Sequence, residues 1–168
     1  ICVISGMPTP RSARSPRRSS PKCASAAPHC DGTDRKIPGT FLAKMQKGGT
    51  KDFGFAKVTM VAADHPSTCV GPQGVQITGG LACGFVVNIP NHNFTFYHAG
   101  DTNIFSDMKL IDTLYKPTVA MIPVGDCLGM GPREAAYAAK NFFPTVETFI
   151  PMHFNSFPVL TGTPEEFE

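Results

Sequence analysis

Imidazole and carboxylate side chains stand at several places where a predicted β-strand ends. The chain has five histidines, at positions 29, 65, 92, 98 and 153. His65 follows VTMVAAD, and His153 closes ETFIPMHF. His98 and Asp101 lie at the end of FTFYHAGD. Neutral imidazole and carboxylate are suitable ligands for Zn²⁺ and related ions. These four residues could therefore form a metal site, although a single histidine could equally be a hydrogen-bonded structural residue.

Strands and helices alternate in the part of the chain that would position these side chains. Alternating or continuous apolar runs predict strands over 53–63, 81–89, 94–100, 118–125 and 147–154. The second and third of these flank the turn-like PNHN and predict a hairpin. Helical spacing predicts helices over 104–115 and 131–143. TPEEFE (163–168) has an N-cap threonine followed by proline and predicts a helix that begins there and is cut off. This order predicts an α/β domain whose strand ends share one crevice.

Residues 1–45 differ in composition from residues 46–168. Seven of the 15 basic side chains but only two of the 13 acidic ones lie in residues 1–36, which therefore carry +5. The run PTPRSARSPRRSSPKCASAAP shows neither helical nor strand periodicity. We expect a disordered basic segment here, with a phosphorylatable or nucleic-acid-binding arm as the alternative.

The overall composition restricts the class and compartment of the protein. A chain of 168 residues with 42% apolar residues can form one domain with a hydrophobic core. The net charge of +2 gives no strong attraction to nucleic acid. Six irregularly spaced cysteines predict free thiols in a reducing compartment, the cytoplasm. No apolar run is long enough to span a membrane or to resemble a signal peptide. Because the chain begins at Ile1, we expect a fragment or a processed product.

Four ordered segments resemble a known family. GGTKDFGFAKVTMVAADHPST, YHAGDTNIFSDMKLI, MIPVGDCLGMGPREAAYAA and IPMHFNSFPVLTGTPEEF are similar to successive segments of uncharacterised metal-dependent hydrolases in the metallo-β-lactamase superfamily. That branch is similar to the L-ascorbate-6-phosphate lactonases. The resemblance runs from about residue 48 to residue 168. It implies the C-terminal part of the four-layer αββα metallo-β-lactamase fold, with residues 46–168 as a partial hydrolase domain.

The resemblance also implies a role for each strand-end residue. His65 matches a histidine that completes the ligand set of one metal, and His153 matches the last histidine, which binds the second metal. Asp101 matches the carboxylate that bridges the two metals and so also counts as catalytic. His98 would be a further catalytic residue nearby. Two divalent ions, Zn or Mn, would activate a water to attack a small ester, lactone or phosphorylated metabolite.

The sequence departs from the family at its most diagnostic motif. H-x-H-x-D-H, which supplies four ligands, does not occur, and the spacing around His29 in APHCDGTD does not match it. Three ligands shared between two metals predict weak binding. Residues 1–45 could therefore be non-native sequence from a shifted reading frame. The competing functions are an inactive fragment or pseudoenzyme and a polyanion-binding module using the basic segment.

Two smaller expectations concern the loop after the strand 118–125. Asp126 and Met130 would lie at the rim of the pocket, although Asp126 could equally be a structural turn residue.

A sheet whose other half is missing would leave one face uncovered, which predicts a partner or homo-oligomer. The remaining expected partner is the small-molecule substrate.

Overall fold

The computed structural model describes residues 43, 45–70 and 74–168. The segment 1–45 lies almost wholly outside this part, and so does the prediction made for it. The strands of the described part are β1 (Thr50–Asp52), β2 (Lys57–Ala62), β3 (Thr68–Val70), β4 (Gln76–Thr78), β5 (Cys83–Ile89), β6 (Phe94–His98), β7 (Val119–Pro123) and β8 (Thr148–Met152). Its α-helices are α1 (Met108–Tyr115), α2 (Pro132–Phe142) and α3 (Pro164–Phe167).

The chain divides into two compact units. Among the described residues, the larger comprises 45–66 and 81–168, and the smaller comprises residue 43 and residues 67–70 and 74–80. Within the smaller unit β3 and β4 pair antiparallel, and the Gly79 N–H donates to the Ser67 carbonyl at 2.7 Å. These three-residue strands were not predicted, because they are too short to show a periodicity. No helix of the described part is both long and apolar enough to cross a membrane.

A six-stranded sheet in the order β1-β2-β5-β6-β7-β8 forms the larger unit. The strands from β1 to β6 pair antiparallel, and β6, β7 and β8 pair parallel. The predicted hairpin is confirmed as β5 and β6, and α1 and α2 connect the parallel strands. Because β2 and β6 both run antiparallel to β5, the carboxyl ends of β2, β6, β7 and β8 meet at one edge of the sheet. The predicted α/β class and the delivery of strand ends to a common edge are confirmed.

Two element boundaries show where sequence patterns extend beyond regular structure, and a third agrees with the prediction. The helix predicted from residue 104 begins at Met108, because Ile104 and Phe105 pack against the core from a loop. The strand predicted from residue 53 begins at residue 57, because a turn precedes it in which Asp52 Oδ1 accepts from the Gly54 N–H at 2.7 Å. The predicted start of the last helix is confirmed by a capping box between Thr163 and Glu166.

The hydrophobic core lies between the helices and one face of the sheet. Tyr97 and Ala120 on the sheet and Met108 and Ala135 on the helices are fully buried in it. The Tyr97 ring stacks on Phe143 with ring centroids 5.4 Å apart. This packing fixes β6, β7 and the two longer helices as one body, which holds the loops at the strand ends.

The opposite face of the sheet is also apolar. His98 pairs in register with Phe85 on β5 and with Met121 on β7, and Met121 pairs with Ile150 on β8. Side chains in register share a face of the sheet, so His98 lies among apolar neighbours on the face away from the core. Ile150 on this face is 42% exposed.

Candidate metal centre

A cavity of about 490 Å³ opens at the edge where the strand ends meet. It is lined by His65, Pro66, Asp101, Cys127, Leu128, His153 and Phe157. Every lining residue follows β2, β6, β7 or β8, which explains why residues so distant in sequence share one site. The three predicted metal ligands, His65, Asp101 and His153, therefore all line this cavity.

Asp101 and His153 form the closest pair of candidate ligands. The Oδ2 atom of Asp101 lies 3.5 Å from Nε2 of His153, and the two side chains are 55% and 21% exposed. Two ligands that each lie 2.0–2.2 Å from one tetrahedral ion are themselves about 3.3–3.6 Å apart. The spacing and chemistry of this pair therefore fit two ligands of one divalent ion.

His65 lines the same cavity, but both of its ring nitrogens face backbone carbonyls. Nδ1 lies 2.7 Å from the Pro66 oxygen and Nε2 lies 2.8 Å from the Leu128 oxygen. A neutral imidazole carries one N–H and can donate to only one of these two acceptors. To bind an ion through Nε2, His65 must give up its contact with Leu128.

The backbone at His153 is held by a close approach of the preceding loop. His153 has a φ of +54°, in the left-handed region. A Cβ atom on Gly125 would lie 2.1 Å from the His153 carbonyl oxygen, so only glycine fits at position 125. The Val124 N–H also donates to the Met152 carbonyl at 3.0 Å. The ends of β7 and β8 therefore set the position of His153.

The loop after β7 corrects one expectation and reveals two further lining residues. Met130 is fully buried in the core and does not lie at the rim, because its apolar side chain packs under the loop. Asp126 has a φ of +64°, and its Oδ1 accepts from the Cys127 N–H at 2.7 Å, so it is a turn residue. Cys127 and Leu128, which sequence reasoning missed, line the cavity instead. The signal for them was the glycine-rich GDCLGMG directly after a buried strand.

His98 lies outside the lining of the cavity, on the apolar sheet face. Its Nδ1 accepts a hydrogen bond from the Gly100 N–H at 3.1 Å. Burial lowers the pKa of His98 below its ordinary value of 6.5, and the charge of Asp101 and a backbone hydrogen bond partly oppose this shift. A ring that is held neutral keeps Nδ1 as an acceptor. The catalytic role assigned to His98 stays a prediction.

The described residues hold only part of a metal site. Among residues 43, 45–70 and 74–168, no three His, Cys, Asp or Glu side chains are gathered closely enough to hold an ion. Asp101 and His153 fit as two members of a ligand set, and His65 could join them after its ring leaves Leu128. A complete ligand set would need further donors.

Comparisons with known proteins identify relatives of the chain. The chain is 52% identical over 128 residues to a UPF0173 metal-dependent hydrolase of Koribacter versatilis (strain Ellin345), covering 76% of this chain and 53% of that protein. It is 42% identical over 133 residues to a UPF0173 metal-dependent hydrolase of Methanosarcina barkeri (strain Fusaro), covering 79% and 56%. The chain thus spans about half the length of the curated relatives it matches.

A solved structure supports the fold assignment. The fold resembles that of Igni18, a metallo hydrolase from the hyperthermophilic archaeon Ignicoccus hospitalis KIN4/I, with a TM-score of 0.58 and 26% identity. The match covers 74% of this chain and 50% of the archaeal chain.

The family model described as the beta-lactamase superfamily domain matches residues 17–154. This chain therefore belongs to the β-lactamase superfamily and has the metallo-β-lactamase type of α/β fold.

Proposed function

We propose that this protein takes part in the metal-dependent hydrolysis of a small ester, lactone or phosphorylated metabolite. The observation that carries the proposal is the pair of Asp101 Oδ2 and His153 Nε2, 3.5 Å apart in a cavity that His65 also lines. The names of the relatives, metal-dependent hydrolases, support the reaction class. Because the chain spans about half of each relative, the activity of the whole protein is part of the proposal.

Each lining residue would have a distinct task. Asp101 and His153 would hold one divalent ion, Zn²⁺ or Mn²⁺, and the half-exposed carboxylate of Asp101 has a second oxygen free to bridge to another. A bound ion of this kind supplies hydroxide near neutral pH and polarises a carbonyl or phosphoryl oxygen. The carboxylate of Asp101 can also accept a hydrogen bond from the attacking water and orient it.

The cavity itself favours a small substrate. Its volume of about 490 Å³ lies in the range of small-molecule sites, roughly 300–1,000 Å³. Pro66, Leu128 and Phe157 contribute apolar surface around the three polar ligands. Such a surface would hold the body of a metabolite and exclude bulk water from the attacked bond. The lactone substrate rests on the sequence resemblance alone, and a cytoplasmic location stays a prediction.

The main competing function is a pseudoenzyme. It is favoured by the incomplete ligand set of the described residues and by the contacts that occupy both ring nitrogens of His65. Binding of a polyanion through the basic segment stays a prediction, because residues 1–36 lie outside the described part.

Metal content and hydrolysis distinguish the enzyme from the pseudoenzyme. The purified chain is dialysed against Zn²⁺ or Mn²⁺, and the bound metal is measured by elemental analysis. Hydrolysis of nitrophenyl esters, a small lactone and a nitrophenyl phosphate is then assayed. The proposal predicts about one bound ion per chain or more, together with measurable turnover. Asp101→Asn should abolish this turnover. His92→Gln, a change in the β5–β6 turn, should leave it unchanged. Less than about 0.2 ions per chain, with no turnover of any of the three substrates, would support the pseudoenzyme.

A further inference from the structure

The segments that carry His65 and Asp101 meet at one buried side chain. Thr102 follows Asp101 directly and is fully buried. Its Oγ1 accepts from the Asp64 N–H at 2.9 Å and lies 2.7 Å from the Asn103 carbonyl, to which it donates. A buried hydroxyl with both a donor and an acceptor engaged has one preferred orientation.

The backbone around Thr102 extends these connections to two more segments. The Asn103 N–H donates to the Asp64 carbonyl at 2.8 Å, so residues 64 and 102–103 are joined by bonds in both directions. The Thr102 carbonyl accepts from the Met130 N–H at 3.0 Å. Asp64 precedes His65, and Met130 closes the loop that places Leu128 against the His65 ring.

We propose that Thr102 is a positioning residue of the metal centre, which holds the His65 segment, Asp101 and the loop 126–130 in one arrangement. The inference rests on the proposed function for its chemistry, but its geometry is independent of any bound ion. The hydroxyl helps to set the distance between the segments that carry His65 and Asp101. Without it, the Asp64 N–H loses its partner, and the bond from the Asn103 N–H to the Asp64 carbonyl is left to join the two segments.

Thr145 provides a matched control at the other end of the sheet. Its hydroxyl is part-buried and lies 2.6 Å from Asp112 Oδ1 and 3.0 Å from the Pro117 carbonyl. Thr145 and Pro117 precede β8 and β7, so this cluster lies at the amino ends of the strands, away from the cavity. Thr145→Val removes a comparable hydroxyl without touching the site.

The decisive experiment compares zinc affinity by chelator competition in the full chain, Thr102→Val, Thr102→Ser and Thr145→Val, with thermal melting recorded for each. Removing a hydrogen bond that orients a metal ligand weakens metal binding by about 10- to 100-fold. We expect this loss of zinc affinity in Thr102→Val. Thr102→Ser keeps the hydroxyl, so its zinc affinity should lie within about threefold of that of the parent. Thr145→Val should keep the zinc affinity of the parent even if it melts at a lower temperature. An equal loss in Thr145→Val, or an unchanged affinity in Thr102→Val, would overturn the inference.

A second measurement separates failure of the inference from failure of the proposed function. If the parent chain binds no zinc, the proposed function fails, and the ring ¹⁵N shifts of His65 are then compared between the parent and Thr102→Val. The inference predicts that they move while those of His92 do not, because the Leu128 contact is lost. Unchanged His65 shifts would refute it. Thr102→Ala, which also lacks the hydroxyl and needs less space, replaces the valine variant if that variant does not fold.

Discussion

At the residue scale, the candidate site depends on how Asp101 and His153 face each other. Both residues could be selected from the sequence, because each stands directly after a strand with a clear apolar pattern. The orientation of the His65 ring could not, since it depends on the Leu128 carbonyl, 63 residues further along the chain. Cys127 and Leu128 were missed because a turn pattern does not indicate which way its side chains point.

Replacing His153 by asparagine tests the ligand role without disturbing the backbone. Asparagine tolerates a left-handed conformation such as the φ of +54° at this position. We therefore expect His153→Asn to melt close to the temperature of the parent. Its zinc affinity should fall by at least about 100-fold, because changing a residue that only supports a ligand already costs about 10- to 100-fold in affinity. Isothermal titration calorimetry measures the affinity. A zinc affinity equal to that of the parent would remove His153 from the ligand set.

The half-buried ring of His98 gives the stability of the protein an expected pH dependence. Its pKa is lowered in the folded state by burial, so the unfolded chain takes up the proton first as the pH falls. The contribution of His98 is therefore favourable above about 6.5 and is lost as the pH drops from there through the lower folded pKa.

Urea unfolding at several pH values between 5 and 7.5 measures this effect. His98→Asn removes the titration but keeps an acceptor close to the position of Nδ1 for the Gly100 N–H. We expect the free energy of unfolding of this variant to fall less steeply below pH 6.5 than that of the parent. The same slope in both proteins would show that His98 is not the group responsible.

At the element scale, the strands and helices of the larger unit follow the apolar pattern closely. The helix pattern extended too far at residues 104–107 because Ile104 and Phe105 are buried from a loop, and burial rather than helicity determines where apolar residues occur. The three-residue strands β1, β3 and β4 could not be predicted, because they depend on pairing with a neighbour. The meeting of four strand ends at one edge followed from the order of the elements.

Because the ends of β7 and β8 lie so close together, we expect a substitution at Gly125 to lower the stability of the protein strongly. An alanine Cβ there would lie 2.1 Å from the His153 carbonyl, so one of the two strands must shift. We expect Gly125→Ala to lower the free energy of unfolding by about 2 kcal/mol or more and also to weaken zinc binding. Gly129→Ala in the same loop is the control, because its nearest atom would lie at 3.5 Å, an ordinary contact. Equal stability in the two variants would contradict the close approach.

Removing the hydroxyl of the core residue Tyr97 should stabilise the protein. Its hydroxyl is buried, and no hydrogen-bond partner for it lies within the described part of the chain. Burial also raises the pKa of Tyr97. Removing an unsatisfied buried hydroxyl should raise the free energy of unfolding by about 1 kcal/mol in Tyr97→Phe, as measured by urea unfolding. Tyr137→Phe, at a site that is 57% exposed, should change it by less than about 0.5 kcal/mol. A less stable Tyr97→Phe would indicate that the hydroxyl has a partner.

At the scale of the whole molecule, the larger unit holds a six-stranded sheet with helices on one face and part of a metal site at its edge. The chain spans about half the length of its curated relatives, and no three potential ligands among the described residues lie close enough together to hold an ion. The second face of the sheet is apolar, and the homo-oligomer expected from it stays a prediction that sedimentation can check. The sequence resemblance indicated the family, but the packing of this face depends on contacts that one sequence does not reveal.

The central claim is that Asp101 and His153 hold the same divalent ion. Crystals of the zinc-loaded chain, measured on both sides of the zinc absorption edge, would locate the ion directly. The structure predicts an anomalous peak within about 2.2 Å of both Asp101 Oδ2 and His153 Nε2. A zinc peak bound elsewhere, with these two atoms still facing each other and no ion between them, would contradict the claim.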